Sequence, residues 1–261
     1  MVTEEPAGSA YEIAVPTPPA HLGVFYQWFL PLLNEHLAPR SYFEIGTHTG
    51  GSLAAFSCDA ICVDVDFQLT ANVTGRRART LLYQMSADAF FASHDLRRDF
   101  PTGPDICFLD GLHYCEVLLR DFINAERSCH AGSLILLHDC LPTNVRMAQR
   151  ERVVDEAEPE ATRYHWAGDV WRVIRALRRH RPDLHVRLLD CPPTGLVACT
   201  GLDPRSGVLA QRYPMIVDEM LGEKLPVIGL ESVWNTYPLI GSAALARHPK
   251  DMPTIFAGLR W

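Results

Sequence analysis

Five short apolar runs, YFEIG, AICVDVD, TLLYQMS, DICFLD and SLILLHD, recur between residues 42 and 139 and restrict the fold more than any other feature of the chain. Each has the length of a strand, and the first four are followed by segments that can be helical. Strands buried on both faces read as continuous apolar runs, so the alternation predicts a mostly parallel sheet with helices on either side. Two further runs, LHVRLLD and GLVACT, flank the turn sequence CPPT and predict an antiparallel pair that closes a seven-stranded sheet. The expected fold class is therefore α/β, doubly wound.

A chain of 261 residues with 48% apolar content can bury one large core with additions at its ends. Residues 1–20 carry four prolines and no period, and are expected to form a flexible, extended arm. HLGVFYQWFLPLLNEHL predicts an N-terminal helix within 21–39, bent or split by Pro31. The core is expected over 40–200 and a C-terminal extension over 201–261, where YPMIVDEMLGEKLP is in part helical. The apolar N-terminal helix and the extension could supply substrate contacts or pack across the two-fold axis of a homodimer.

The formal charge of -7 argues against nucleic-acid or anionic-membrane partners, which need a clustered basic excess. The basic run WRVIRALRRHRP is read as a solvated helix face. No stretch of 18 apolar residues could cross a bilayer, and MVTEEPAGSA is acidic where a signal peptide is basic, so a cytoplasmic location is expected. Eight cysteines show no paired CxxC spacing and are read as free thiols.

In an open parallel sheet, ligands bind beyond the carboxyl ends of the strands. Here those ends carry Glu44 with Gly46, Asp64, Ser86 with Asp88, Asp110, and His138 with Asp139. A glycine turn after the first strand lets a ligand approach the backbone, and Glu44 beneath it could accept from a ligand ammonium or from loop amides. The alternative is a capping turn with Glu44 salt-bridged. The spacing Gly46, Gly50, Gly51 lacks the second close glycine of a dinucleotide site, while Asp64 suits the ribose of either a nicotinamide or an S-adenosyl ligand.

FEIGTHTGGSL, CVDVD, QMSADAFF, LDGLHYCEVLLRDF, LLHDCLPTN and WAGDVWRVIRAL together resemble the class I S-adenosylmethionine-dependent methyltransferases, in the small-molecule branch called the methyltransferase-24 type. The resemblance covers roughly residues 40 to 200 and implies a Rossmann-like fold with S-adenosyl-L-methionine as cofactor. It implies Glu44, Gly46, Thr47, Gly50 and Ser52 at the methionine end, Asp64 at the ribose, and Ser86 and Asp88 near the adenine, with Asp110 closing the site. Asp110 and Asp139, on neighbouring strand ends, suit a divalent cation such as Mg²⁺ or Mn²⁺. Some members of the family are similar in using an acid after strand four and an acidic pair after strand five. This chain has His138 with Asp139 there, and a histidine ligand moves the preference toward Mn²⁺, Fe²⁺ or Zn²⁺.

His113 is the candidate base, the alternative being a core histidine that ties the loop after strand four to the following helix. Trp166 and Trp171 either wall an acceptor pocket or belong to the core. The expected function is O-methylation of a small molecule, a sugar or secondary metabolite, with Asp110 and His113 catalytic. Its rivals are a metal-independent N- or carboxyl-methyltransferase and a non-catalytic S-adenosylmethionine-binding protein.

Overall fold

All seven apolar runs become strands of one sheet in the computed structural model, which describes residues 9–157 and 159–261. They are β1 Ser41–Ile45, β2 Asp59–Asp64, β3 Thr80–Gln84, β4 Ile106–Leu109, β5 Leu134–His138, β6 His185–Leu189 and β7 Leu196–Thr200. An eighth, β8 Leu239–Ile240, lies beyond β6, and the order across the sheet is β3-β2-β1-β4-β5-β7-β6-β8. β1 to β5 run parallel, and β7 is antiparallel to both β5 and β6.

The expectation of seven strands is one short, because two residues are too few to show a period and β8 is a strand only through its partners. Leu188 and Leu189 of β6 pair with it on one side. On the other, Ile13 N–H donates to Leu239 O and Gly241 N–H to Tyr11 O, both at 2.9 Å. The segment expected as an arm thus lies along the sheet edge over residues 11–13, and residues 1–8 of it fall outside the described residues.

Successive side chains of a strand point to opposite faces. Phe43, Ile45, Cys107 and Leu109 pack with α3 Ala87–Ser93, α4 Cys115–Ser128 and α6 Trp171–His180, which follows the short α5 Glu160–Arg163. Tyr42, Ile106 and Phe108 pack on the other face with Phe29, Leu30 and Leu33 of α1 Tyr26–Leu37, a single helix that contains Pro31 on its exposed side. The C-terminal residues serve both faces: Ile216 and Met220 join the first, Leu245, Met252 and Ile255 the second. Trp171 is fully buried and belongs to the core. Two arginines of α6 pair with the C-terminal residues, Arg175 with Glu223 at 2.9 Å and Arg179 with Glu219 at 3.1 Å, while Arg178 lies over the Tyr237 ring. All eight cysteines are free.

One local expectation fails. The 65–79 connection from β2 to β3, read as able to be helical, contains no helix. Asn72 Oδ1 accepts from Gly75 N–H at 3.0 Å and from Thr74 at 3.1 Å, and Arg77 donates to the carbonyls of Leu53 and Phe56. Such side-chain bonds to nearby backbone compete with a helix. A short helix, α2 Gly51–Ala54, follows β1. From β1 the chain winds outward through β2 to β3, then crosses back to β4 and β5, so the carboxyl ends of β1 and β4 meet at the switch point where a cleft forms.

Candidate functional site

The cleft has a volume of about 520 Å³ and is lined by Gly46 and Asp64 from the ends of β1 and β2, Ser86 and Asp88 from the start of α3, Asp110 and His113 after β4, and Asp139 after β5. Gly46 has φ +86°, and a Cβ there would lie 1.9 Å from the carbonyl oxygen of Asp110. Only glycine fits so close an approach in this backbone region. Asp64 holds the loops around it, accepting His48 N–H at 2.6 Å on Oδ2 and Asp66 N–H at 2.9 Å on Oδ1. Each carboxylate oxygen keeps a further lone pair for a ligand hydroxyl. Ser86 caps α3 by accepting Ala89 N–H at 3.2 Å, and Asp88 forms a two-pronged pair with Arg120 at 3.0 and 2.8 Å.

Glu44, Thr47, Gly50 and Ser52 lie beneath the turn and are not among the lining residues. Glu44 is fully buried, and its oxygens accept from the hydroxyls of Tyr42 at 3.1 Å, Thr47 at 3.0 Å and Ser52. Burial pushes its carboxyl up to about 7, with the three hydroxyls pulling the other way. Among the described residues no cation pairs with it, so it is not the salt-bridged carboxylate of the capping-turn alternative, and it accepts from the Thr47 and Ser52 hydroxyls instead of loop amides. Gly50, at φ +82°, starts α2 and packs against Val73.

The other end of the cleft concentrates charge. His113 Nε2 lies 3.0 Å from Asp139 Oδ2 and 3.5 Å from Asp110 Oδ1, and His138 Nδ1 lies 3.2 and 3.4 Å from Asp110 Oδ1 and Asp139 Oδ2. Asp139 takes φ +61°, a region that aspartate tolerates at some cost. Its Oδ1 accepts from Thr194, and the ring of Tyr26 on α1 packs 4.2 Å from that of His138. Burial disfavours charge on both histidines, but the carboxylates outweigh it. His138 is lifted to about 10, His113 well above its usual range, and Asp139 is held well below its own.

These donors suit a divalent cation. Ligands about 2.1 Å from one ion stand about 3.0 Å apart at right angles and about 3.4 Å apart in a tetrahedron, the range seen here. Donor atoms of Asp110, His113 and Asp139 lie within 4.8 Å of one another. His138 Nδ1 is buried and, although close to both carboxylates, is aligned for a hydrogen bond with neither. The sequence expectation of Asp110, His138 and Asp139 thus meets a geometry that also draws in His113. Cys115, Glu116 and Asp169 make a second cluster, but Arg150 already pairs with both carboxylates.

Several contributors were not legible beforehand. Tyr26, Thr194, Arg120 and Asp121 reach the site from α1, the β6–β7 turn and α4, and no local motif marks them. Trp166 packs over His113 at 4.9 Å, and its carbonyl accepts from His113 Nδ1 at 3.1 Å. Asp169, two residues before α6, accepts Cys115 N–H at 2.8 Å and so satisfies the first backbone donor of α4. His21 packs against Trp234 of the extension at 4.7 Å, burial pushing its imidazole down to about 3.

Fold and site together define an open, mostly parallel α/β protein with a ligand cleft at the carboxyl ends of its central strands. No protein-family model and no curated protein matches the chain. Solved structures similar to it include the SAH-bound methyltransferase PaMTH1 of Podospora anserina, at 15% identity over 68% of this chain and 78% of that one, with a TM-score of 0.49. The O-methyltransferase TomG of Streptomyces achromogenes, in complex with SAM, is 16% identical over 78% and 92%, with a TM-score of 0.48. An O-methyltransferase of Bacillus cereus in complex with SAH is 17% identical over 73% and 83%, with a TM-score of 0.44. At such identities and TM-scores these are likenesses alone, and what those proteins bind is a property of theirs. Among the described residues, no helix is long and apolar enough to cross a membrane.

Proposed function

We propose that the chain is an S-adenosylmethionine-dependent O-methyltransferase acting on a hydroxyl of a small molecule. The observation that carries this reading is the continuity of one cleft. It runs from the ribose-type acid Asp64 and the α3 cap Ser86 to a cluster of two carboxylates and two imidazoles. S-adenosylmethionine, when bound, supplies an electrophilic methyl group. Gly46, with no Cβ, lets the ends of β1 and β4 close up at the floor of the cleft, Asp64 would accept from the ribose hydroxyls, and the Ser86–Asp88 corner would face the base. Glu44 shapes the turn from below through Thr47 and Ser52.

Asp110 and Asp139, with His138, would hold a divalent cation, whose charge would lower the pKa of a hydroxyl beside it and would favour the neutral form of His113. Asp110 and Asp139 orient the acceptor. His113 Nδ1 donates to the Trp166 carbonyl, so in the neutral ring the lone pair sits on Nε2, facing the cleft, where it takes the acceptor's proton. Methyl transfer is an in-line displacement, and the rigid strand ends serve alignment.

Calorimetry tests the reading: S-adenosylhomocysteine should bind in the micromolar range. Isotopically labelled S-adenosylmethionine with a metabolite extract, followed by mass spectrometry, should reveal the methylated acceptor. Binding of nicotinamide dinucleotides without S-adenosylhomocysteine would overturn it.

A further inference from the structure

Asp121 lines the cleft from α4, is 1% exposed, and its Oδ1 has no hydrogen-bond partner among the described residues. A buried acceptor left unpaired is costly, and nearly all such groups in folded proteins have partners. The obvious protein partner is committed elsewhere. The Arg120 guanidinium gives Nε and Nη2 to Asp88 and Nη1 to the Tyr213 hydroxyl at 2.8 Å. Gly111, after β4, puts no side chain against the carboxyl; a Cβ there would lie 3.4 Å from Asp121 Oδ2.

The position of Asp121 decides what it could meet. Asp88, at the start of α3, and Arg120, on α4, are its charged neighbours, so it stands toward the Ser86–Asp88 side of the cleft, against Gly111. Ala87, Leu112 and Val117 contribute apolar surface to the same cleft. An apolar wall with one unsatisfied carboxyl suits a flat heterocycle that carries an amino group. Burial, reinforced by Asp88, pushes the Asp121 carboxyl up to about 7. Its protonated form, about half of the population at pH 7, offers a carbonyl acceptor beside a hydroxyl donor, and its ionised form offers acceptors alone. An aminopurine edge offers the complement, an exocyclic N–H beside a ring nitrogen.

We propose that Asp121 is the specificity-determining residue for the base of the nucleoside bound in this cleft, its unpaired Oδ1 accepting from the exocyclic amino group of adenine. The proposal rests on the S-adenosylmethionine reading and deepens it. A site built to pair with an amino group rejects an analogue that lacks it, because the buried partner is then left unpaired.

Calorimetry with S-adenosylhomocysteine and with its 6-deamino (purine riboside) analogue, in which hydrogen replaces the amino group and the ring nitrogen stays an acceptor, tests this on the whole 261-residue chain. Wild type should prefer the adenosine compound by roughly 5- to 150-fold. Asp121→Leu should remove most of that preference, and Asp121→Asn, which keeps an acceptor beside a donor, should retain it. Asp64→Ala should weaken both ligands alike and leave their ratio unchanged. Equal affinities in wild type, or an undiminished ratio in a folded Asp121→Leu, would overturn the role of Asp121 while leaving the cofactor reading intact. Should Asp121→Leu fail to fold, the wild-type ratio together with a loss of preference in Asp121→Asn decides against it. Failure of wild type to bind either compound would remove the cofactor reading and this proposal with it.

Discussion

Replacing Glu44 by Gln should change how the stability of the protein depends on pH. Glu44 is fully buried among the Tyr42, Thr47 and Ser52 hydroxyls, and burial lifts its carboxyl from 4.5 to about 7. The folded protein therefore keeps the proton up to about pH 7, whereas the unfolded chain releases it near 4.5. Between these values the folded state binds more protons, so this group's contribution is fully present below pH 4.5 and is lost as pH rises through 7. An interval of about 2.5 pH units at about 1.4 kcal/mol per unit makes the loss about 3 kcal/mol. Glutamine keeps the shape and cannot ionise. Asp121 and His138 also titrate abnormally, but they do so in both proteins and cancel on subtraction. Urea unfolding at intervals from pH 4.5 to 8.5 should show the variant gaining about 3 kcal/mol on wild type as pH rises. A fixed offset from rearranged hydroxyl bonds would leave that slope untouched. A difference that stays flat within about 0.5 kcal/mol would show that Glu44 is ionised throughout, and the burial argument would fail.

Four further outcomes are expected. Asp64→Ala should weaken S-adenosylhomocysteine by about 1–3 kcal/mol in calorimetry, since buried hydroxyls lose their acceptor; unchanged affinity would place the ribose elsewhere. His113→Ala should lower turnover by about 10² to 10⁴ with cofactor affinity nearly unchanged, and an unaltered rate with the true acceptor would return His113 to its structural bond with Trp166. Chelation, or Asp139→Ala, should abolish Mn²⁺ binding, measured by titration calorimetry, and stop turnover without preventing S-adenosylhomocysteine from binding. His138→Glu should shift the preference from Mn²⁺ toward Mg²⁺. Full activity in excess chelator would leave Asp110 and Asp139 as hydrogen-bonding residues.

What can be read along the chain and what cannot divides by the range of the interaction. The apolar runs of β1 to β7 declare themselves because a strand buried on both faces must be apolar wherever it lies. The polar residues that interrupt those runs, Asp64, Ser86, Asp110 and Asp139, mark the cleft for the same reason: a charge at the end of a buried strand sits where the strands open to ligand. These are consequences of local composition, and the sequence by itself determined them. Whether a cleft residue reaches the ligand or lies under the turn was decided only by folding. Glu44 and Asp64 both end strand runs, yet the pleat turns Glu44 down toward Tyr42 and Ser52 while Asp64 faces the cleft. Tertiary structure likewise brought His113 against Asp139, 26 positions away, and Thr194 against Asp139 from 55 away. It also buried Asp121 of α4 with its Oδ1 unpaired among the described residues. A side chain's neighbours across the sheet are set by strand order and crossover, which join residues with no local pattern in common, so only the assembled sheet could name them.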